Sequence, residues 1–123
     1  MTLDSGALIA FERRERRVLV HLKEAEGRGA ALTVPAAVIA EVWRGGPRAA
    51  RLSLLLAACV VEPLDDSLAR AAGEAIAAVK GSTPIDAIVM ASAAARGDRV
   101  LTSDPDDLRR LQAHFPNVRV VPL

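Results

Sequence analysis

Aromatic side chains are scarce. Phe11, Trp43 and Phe115 are the only three, and tyrosine is missing altogether. Such a chain offers no stacking platform for the bases of single-stranded RNA. A single cysteine, Cys59, excludes an internal disulfide. Its place in the apolar run Leu54–Val61 predicts a small buried hydrophobe in a reducing compartment. No apolar run approaches the ~20 residues that span a bilayer. The opening Met1-Thr2-Leu3-Asp4 lacks the basic, then apolar, pattern of a secretory signal. These absences predict a cytoplasmic protein without a membrane partner. A dominant charge is lacking too: 16 Lys and Arg against 15 Asp and Glu leave +1. That excludes the strongly basic profile of a passive nucleic-acid coat, but not an enzyme that touches nucleic acid locally. Linkers, internal repeats and low-complexity stretches are also absent.

What is present fits one small domain over residues 1–123, with 51% apolar residues to form its core. Arginine far outnumbers lysine, which occurs only as Lys23 and Lys80. Alanine is abundant as well; a GC-rich genome produces both biases, so neither is functional evidence. Short β-like runs fall at 1–4, 30–34, 60–61, 99–102 and 118–121. Between them, helical patterns cover 5–13, 18–27, 35–43, 48–58, 66–80, 84–96 and 105–114. Pro35, Pro84 and Pro105 are expected as first helical residues. Alternation of short strands and helices predicts a parallel sheet covered on both faces.

In such sheets, sites form beyond the carboxyl ends of the strands. Asp4 ends the first β run and Asp104 follows the fourth, so parallel strands would aim both at one rim. Asp86 falls in the first turn of a helix, and Glu41 lies inside another. Each aspartate also has a capping reading. Thr83-Pro84-Ile85-Asp86 and Asp104-Pro105-Asp106-Asp107 both have the form of a capping box, and Asp4 could cap the first helix. Glu41 resists that reading, since Ala37 and Val38 precede it on one helical face. An acid there is costly to bury unless paired or bound to a metal; the alternative is that Glu41 lies on a narrow exposed stripe of an otherwise buried helix. The four acids have no obvious cationic partner nearby in sequence. Two like charges ~4 Å apart repel by roughly 4 kcal/mol at an effective dielectric near 20. Their gathering therefore requires protonation or a cation among them. Oxygen ligands without His or Cys favour Mg²⁺ or Mn²⁺ over zinc. His21 and His114 lie away from every acid named and read as surface or core-edge residues.

These segments resemble PIN domains, and in particular VapC toxins. Leu3-Asp4-Ser5-Gly6-Ala7-Leu8 is similar to their opening strand and first acid. Val38-Ile39-Ala40-Glu41-Val42 is similar to the helix of the second, and Pro84-Ile85-Asp86-Ala87-Ile88-Val89 to that of the third. Val100-Leu101-Thr102-Ser103-Asp104-Pro105 resembles the segment with the fourth. The likeness in order and spacing covers essentially the whole chain. It implies a three-layer α/β/α fold and Mg²⁺- or Mn²⁺-dependent hydrolysis of RNA phosphodiesters by metal-activated water. Asp4 and Asp86 would contact the metal, Asp104 and Glu41 would complete its shell, and Asp107 would join it. Thr102 and Ser5 would orient the carboxylates, and Asp106 would be solvated. The resemblance further implies a homodimer neutralised by a cognate, VapB-like antitoxin.

An acidic pocket repels RNA, so basic residues should flank it. Arg13, Arg14, Arg16, Arg17, Arg44, Arg48 and Arg51 are the candidates, with Arg44 one turn after Glu41. A solvated helix surface is the plainer reading of the same arginines. Other phosphoryl-transfer folds fit poorly. A haloacid-dehalogenase-like enzyme needs a second aspartate where Gly6 stands, and a receiver domain needs a lysine at a late strand end. A PIN-fold nuclease outside a toxin pair, a DNA nuclease of the same fold, and a non-catalytic PIN-like binding module remain as alternatives.

Overall fold

The structure, a computed structural model, describes all 123 residues. The expected alternation is there: β1 (Thr2–Leu3), α1 (Ser5–Glu12), α2 (Arg16–Gly27), β2 (Thr33–Pro35) and α3 (Ala36–Val42) come first. A 3₁₀ turn (Pro47–Ala49) leads into α4 (Ala50–Ala57) and β3 (Val60–Glu62). Next come α5 (Asp66–Ala78), α6 (Pro84–Arg96), β4 (Arg99–Thr102), α7 (Pro105–Leu111) and β5 (Arg119–Pro122). Local chemistry sets many boundaries. Asp4 Oδ1 accepts from the Ala7 amide at 2.8 Å, Asp65 Oδ1 from that of Leu68 at 2.8 Å, and Thr83 Oγ1 from that of Asp86 at 3.3 Å. Each satisfies an amide that the first helical turn leaves free. Gly97, at φ 63°, closes α6 in the left-handed conformation that glycine adopts without strain.

Several expected boundaries shift. Pro35 closes β2 instead of opening α3. The run expected as one helix from Arg48 begins with the 3₁₀ turn at Pro47. The seventh helix stops at Leu111, short of His114, because Phe115 turns into the core ahead of Pro116. Cys59 is half-buried rather than fully buried.

All strand pairs are parallel, in the order β3-β2-β1-β4-β5. Helices flank this sheet in the three-layer arrangement expected. Leu3, Leu8, Leu52, Met90, Leu101, Leu108 and Leu111 are fully buried in one contiguous core. Helix α6 is its central rod: every residue from Ala87 to Ala93 is buried. A helix apolar on all sides must be surrounded, and α6 packs on α3, α5, α7 and strands β1, β2 and β4. Its one buried hydroxyl, Ser92, bonds to Glu62 at 3.1 Å and receives Arg96 at 3.0 Å. No helix is long and apolar enough to cross a membrane.

The strand order has a consequence for function. The chain moves outward from β1 through β2 to β3, then returns to the other side of β1 for β4 and β5. The order therefore reverses between β1 and β4. Crevices at such a switch point, beyond the strand carboxyl ends, are where open α/β sheets hold their sites. Leu101, on β4 and in register with Leu3, has no exposed surface. Leu101→Ala is expected to cost about 2–5 kcal/mol, measured as a lower urea midpoint at unchanged m-value.

Candidate acidic site at the switch point

Asp4 and Asp104 leave the adjacent strands β1 and β4 at the switch point. Asp4 is buried, with 8% of its surface exposed. Its amide donates to the Leu101 carbonyl at 3.3 Å, tying the end of β1 to β4. One carboxylate oxygen caps α1, as the capping reading expects. Burial nevertheless pushes its pKa up to about 6, while Thr102 and the amides of Ala7 and Gly6 hold it back and the charge of Asp86 raises it further. Thr102 is buried, and its Oγ1 also accepts from the Asp104 amide at 2.9 Å. That hydroxyl thus braces the turn that carries Asp104. Ser5, expected to share this duty, makes no side-chain hydrogen bond.

Asp86 sits in the first turn of α6 and is half-buried. Its pKa is also raised, chiefly by burial, against the opposing bond of Thr83; the charges of Asp107, Glu41 and Asp104 add to the rise. The four distant segments therefore meet in one electrostatic neighbourhood. The capping-box readings are only half realised. Thr83 caps α6 through the Asp86 amide, but Asp104 makes no side-chain cap bond.

Glu41 requires a correction. Its helical neighbour Val38 is buried, but Glu41 itself is exposed, so no burial cost attaches to it. α3 still packs against both α1 and α6, which keeps Glu41 near the rim. Asp104 is exposed as well, as is Asp106, which pairs with Arg109 at 3.3 Å. Asp107 is bound to Arg110 at 2.6 Å. By contrast, Asp4, Glu41, Asp86 and Asp104 have no ion pair within 4.0 Å. As the side chains stand, no three acids, histidines or cysteines form a group able to hold a metal ion. Arg44 folds back on its own helix: its guanidinium donates to the Trp43 and Glu41 carbonyls, both at 2.9 Å. His21 lies on α2, and exposed His114 meets Phe115 edge-on at 4.8 Å, so neither imidazole belongs to the acidic group.

The PIN domain profile matches residues 1–113. The chain belongs to the PIN-domain family. VapBC2 from Rickettsia felis, solved bound to a DNA fragment from its promoter, matches at a TM-score of 0.79 with 13% identity, over 99% of this chain and 97% of that one. FitAcB from Neisseria gonorrhoeae matches at 0.69 with 19% identity, over 97% and 94%. A FitAB structure bound to a DNA fragment matches at 0.64 with 18% identity, over 99% and 94%. At these identities the three show a shared fold. No curated protein sequence matches this PIN-domain chain significantly.

Residue pairing in the sequence did not reveal one contact. Gly6, in the first turn of α1, lies against Ser103. A Cβ at position 6 would stand 2.0 Å from Ser103 Oγ and 2.9 Å from its Cβ. Glycine is thus needed here for space. Its only sequence signal is a glycine inside a helix, where it costs roughly 0.5–1 kcal/mol relative to alanine. The contact presses the turn carrying Asp104 onto the helix start beside Asp4.

Two predictions follow from this geometry. Gly6→Ala is expected to destabilise by about 1–3 kcal/mol despite its better helix propensity. Adding Ser103→Gly should recover most of the loss, and a denaturant double-mutant cycle reads the coupling. The second concerns pH. The folded value of about 6 for Asp4 exceeds the usual 3.8, so the native state binds more protons between those values. The resulting stability is fully present below about 3.8 and is lost as pH rises through about 6. In EDTA, the melting temperature should be higher at pH 5 than at pH 7.5. That difference should shrink in Asp4→Asn, which keeps a capping oxygen.

Proposed function

We propose that this PIN-domain chain is a Mg²⁺-dependent endoribonuclease acting as the toxin of a VapBC-like toxin–antitoxin module. What supports the reading is that the charge of Asp86 bears on Asp4, and those of Asp107, Glu41 and Asp104 on Asp86, while Asp4, Glu41, Asp86 and Asp104 lack an ion-pairing cation. Their donor set fits a hard divalent ion: carboxylate oxygens only, no competing His or Cys, and a repulsion that a cation would relieve. Asp4 and Asp86 would hold the ion. The exposed Asp104 and Glu41 would turn inward to complete its oxygen ligands, and Asp107 would join them on leaving Arg110. Mn²⁺ would serve by the same oxygen chemistry.

When bound, the ion supplies Lewis acidity that neutralises charge on the scissile phosphate and brings the pKa of water toward neutrality. The chain's own contribution is positioning. Thr102 and the amides at the start of α1 fix Asp4, Thr83 anchors the turn that carries Asp86, and the Gly6–Ser103 contact sets the spacing of the two strand-end turns. With neither histidine in the acidic group, carboxylates are its only proton acceptors. The solved relatives are two-component complexes of the VapBC and FitAB type, which supports a cognate antitoxin as partner. Exposed apolar residues, among them Leu54, Val60, Val61 and Leu64, supply surface for that partner and for a homodimer.

The purified chain should cleave RNA in Mg²⁺ and stop in EDTA. Asp4→Asn should lower the rate at least 100-fold while its circular dichroism spectrum stays native. Cleavage by Asp4→Asn at the wild-type rate would remove the basis of the proposal.

A further inference from the structure

A groove of about 590 Å³ opens between the α1–α2 turn and the segment that follows α3. Arg13, Arg14, Arg44, Arg48 and Arg51 line it, opposed by a single acid, Glu12. None of the five arginines has a carboxylate within ion-pair distance, although seven ion pairs form elsewhere in the molecule.

Two of the five are fixed by groups that leave their charge intact. Arg44 is held on backbone carbonyls of α3. Arg51 Nε donates to the Phe11 carbonyl at 2.8 Å, and its guanidinium lies 4.4 Å from the centre of the Phe11 ring. Arg14 is the only non-glycine residue with positive φ, at 59°. That conformation is unfavourable for any residue with a Cβ. Here it shapes the turn that carries Arg13 and Arg14. Backbone bonds, stacking and a strained turn thus hold unneutralised guanidinium groups around one channel.

We infer that this groove is a track for the phosphodiester backbone of RNA. The inference deepens the nuclease reading and rests on it for the identity of the polymer. Guanidinium forks match phosphate oxygens in two-point hydrogen bonds. The groove's apolar lining is limited to Val42, Pro47, Ala49 and Ala50, of which Val42 and Ala49 are buried. A protein segment would need an apolar anchor there, whereas a repeating polyanion needs none. No aromatic ring lines the channel, so the grip is on the backbone and indifferent to base identity.

The test uses a fluorescein-labelled 20-nucleotide single-stranded RNA in EDTA, with anisotropy read from 50 to 300 mM KCl. Arg13→Ala/Arg48→Ala is the informative double variant, because neither side chain makes a hydrogen bond or ion pair that supports the fold. It should bind at least tenfold more weakly at 100 mM salt. Its salt slope should fall by about 1.4, at ~0.7 per lost single-strand phosphate contact. Arg28→Ala/Arg119→Ala, outside the groove, should keep the wild-type slope. An unchanged slope in the first variant, or an equal fall in both, overturns the inference. So does tighter binding of a poly-glutamate peptide than of RNA with the same arginine dependence. Because the measurement excludes divalent metal, a chain that binds RNA through these arginines but never cleaves it contradicts the nuclease reading alone.

Discussion

Asp4 carries a carboxylate into a place largely cleared of water, with Asp86 close enough to raise its pKa further. Asp86 in turn feels Asp107, Glu41 and Asp104. The burial of Asp4, beside acids whose charges add to its cost, is the constraint around which the rest of the molecule is arranged. It would relax at once if the four segments parted. They are kept together by the central pairing of β1 with β4, by the buried rod of α6, and by the Gly6–Ser103 contact. Each is a packing or backbone interaction that charge alone would oppose. The core thus holds the acids in an arrangement that a cation would stabilise.

The opposite end of the sheet shows the contrast. Asp98, just before β4, is partly buried too. Burial raises its pKa, but the N-terminal ammonium, the Arg99 amide and the Thr2 hydroxyl outweigh that and hold it below the usual range. The ammonium lies 2.9 Å away, and Arg96 reaches Asp98, Glu62, Thr2 and Ser92 from the end of α6. Asp98 is thus matched by cations and donors. At the strand carboxyl ends, Asp4, Glu41, Asp86 and Asp104 are not. The unneutralised arginines lie instead in a separate groove beside α3, where they attract a polyanion without quenching the acids.

Much of this was legible in the sequence because it rests on local chemistry. Asp4, Asp65 and Thr83 announce helix starts through the amides they satisfy, and Pro84 and Pro105 fix first turns. The alternation of strands and helices dictates parallel pairing, and parallel pairing sends Asp4 and Asp104 to the same rim. What the sequence could not show depends on distant packing. The environment of Glu41 is one case: its apolar neighbours suggested a buried face, whereas the helix turns it to solvent. The Ser103 side chain against Gly6 is another, since nothing at position 6 names its partner nearly a hundred residues away. Arg44 illustrates the same limit, because its guanidinium satisfies the carbonyl end of its own helix while lining the groove. The stop of α7 at Leu111 follows from a tertiary demand, the burial of Phe115, that overrides helix propensity.

Anomalous diffraction from crystals soaked in Mn²⁺ would test the convergence most directly. The account predicts one or two strong peaks bounded by Asp4 and Asp86, with the Asp104 or Glu41 side chain turned toward them. Fully soaked crystals with no peak at this rim, or with manganese bound only elsewhere on the surface, would contradict it.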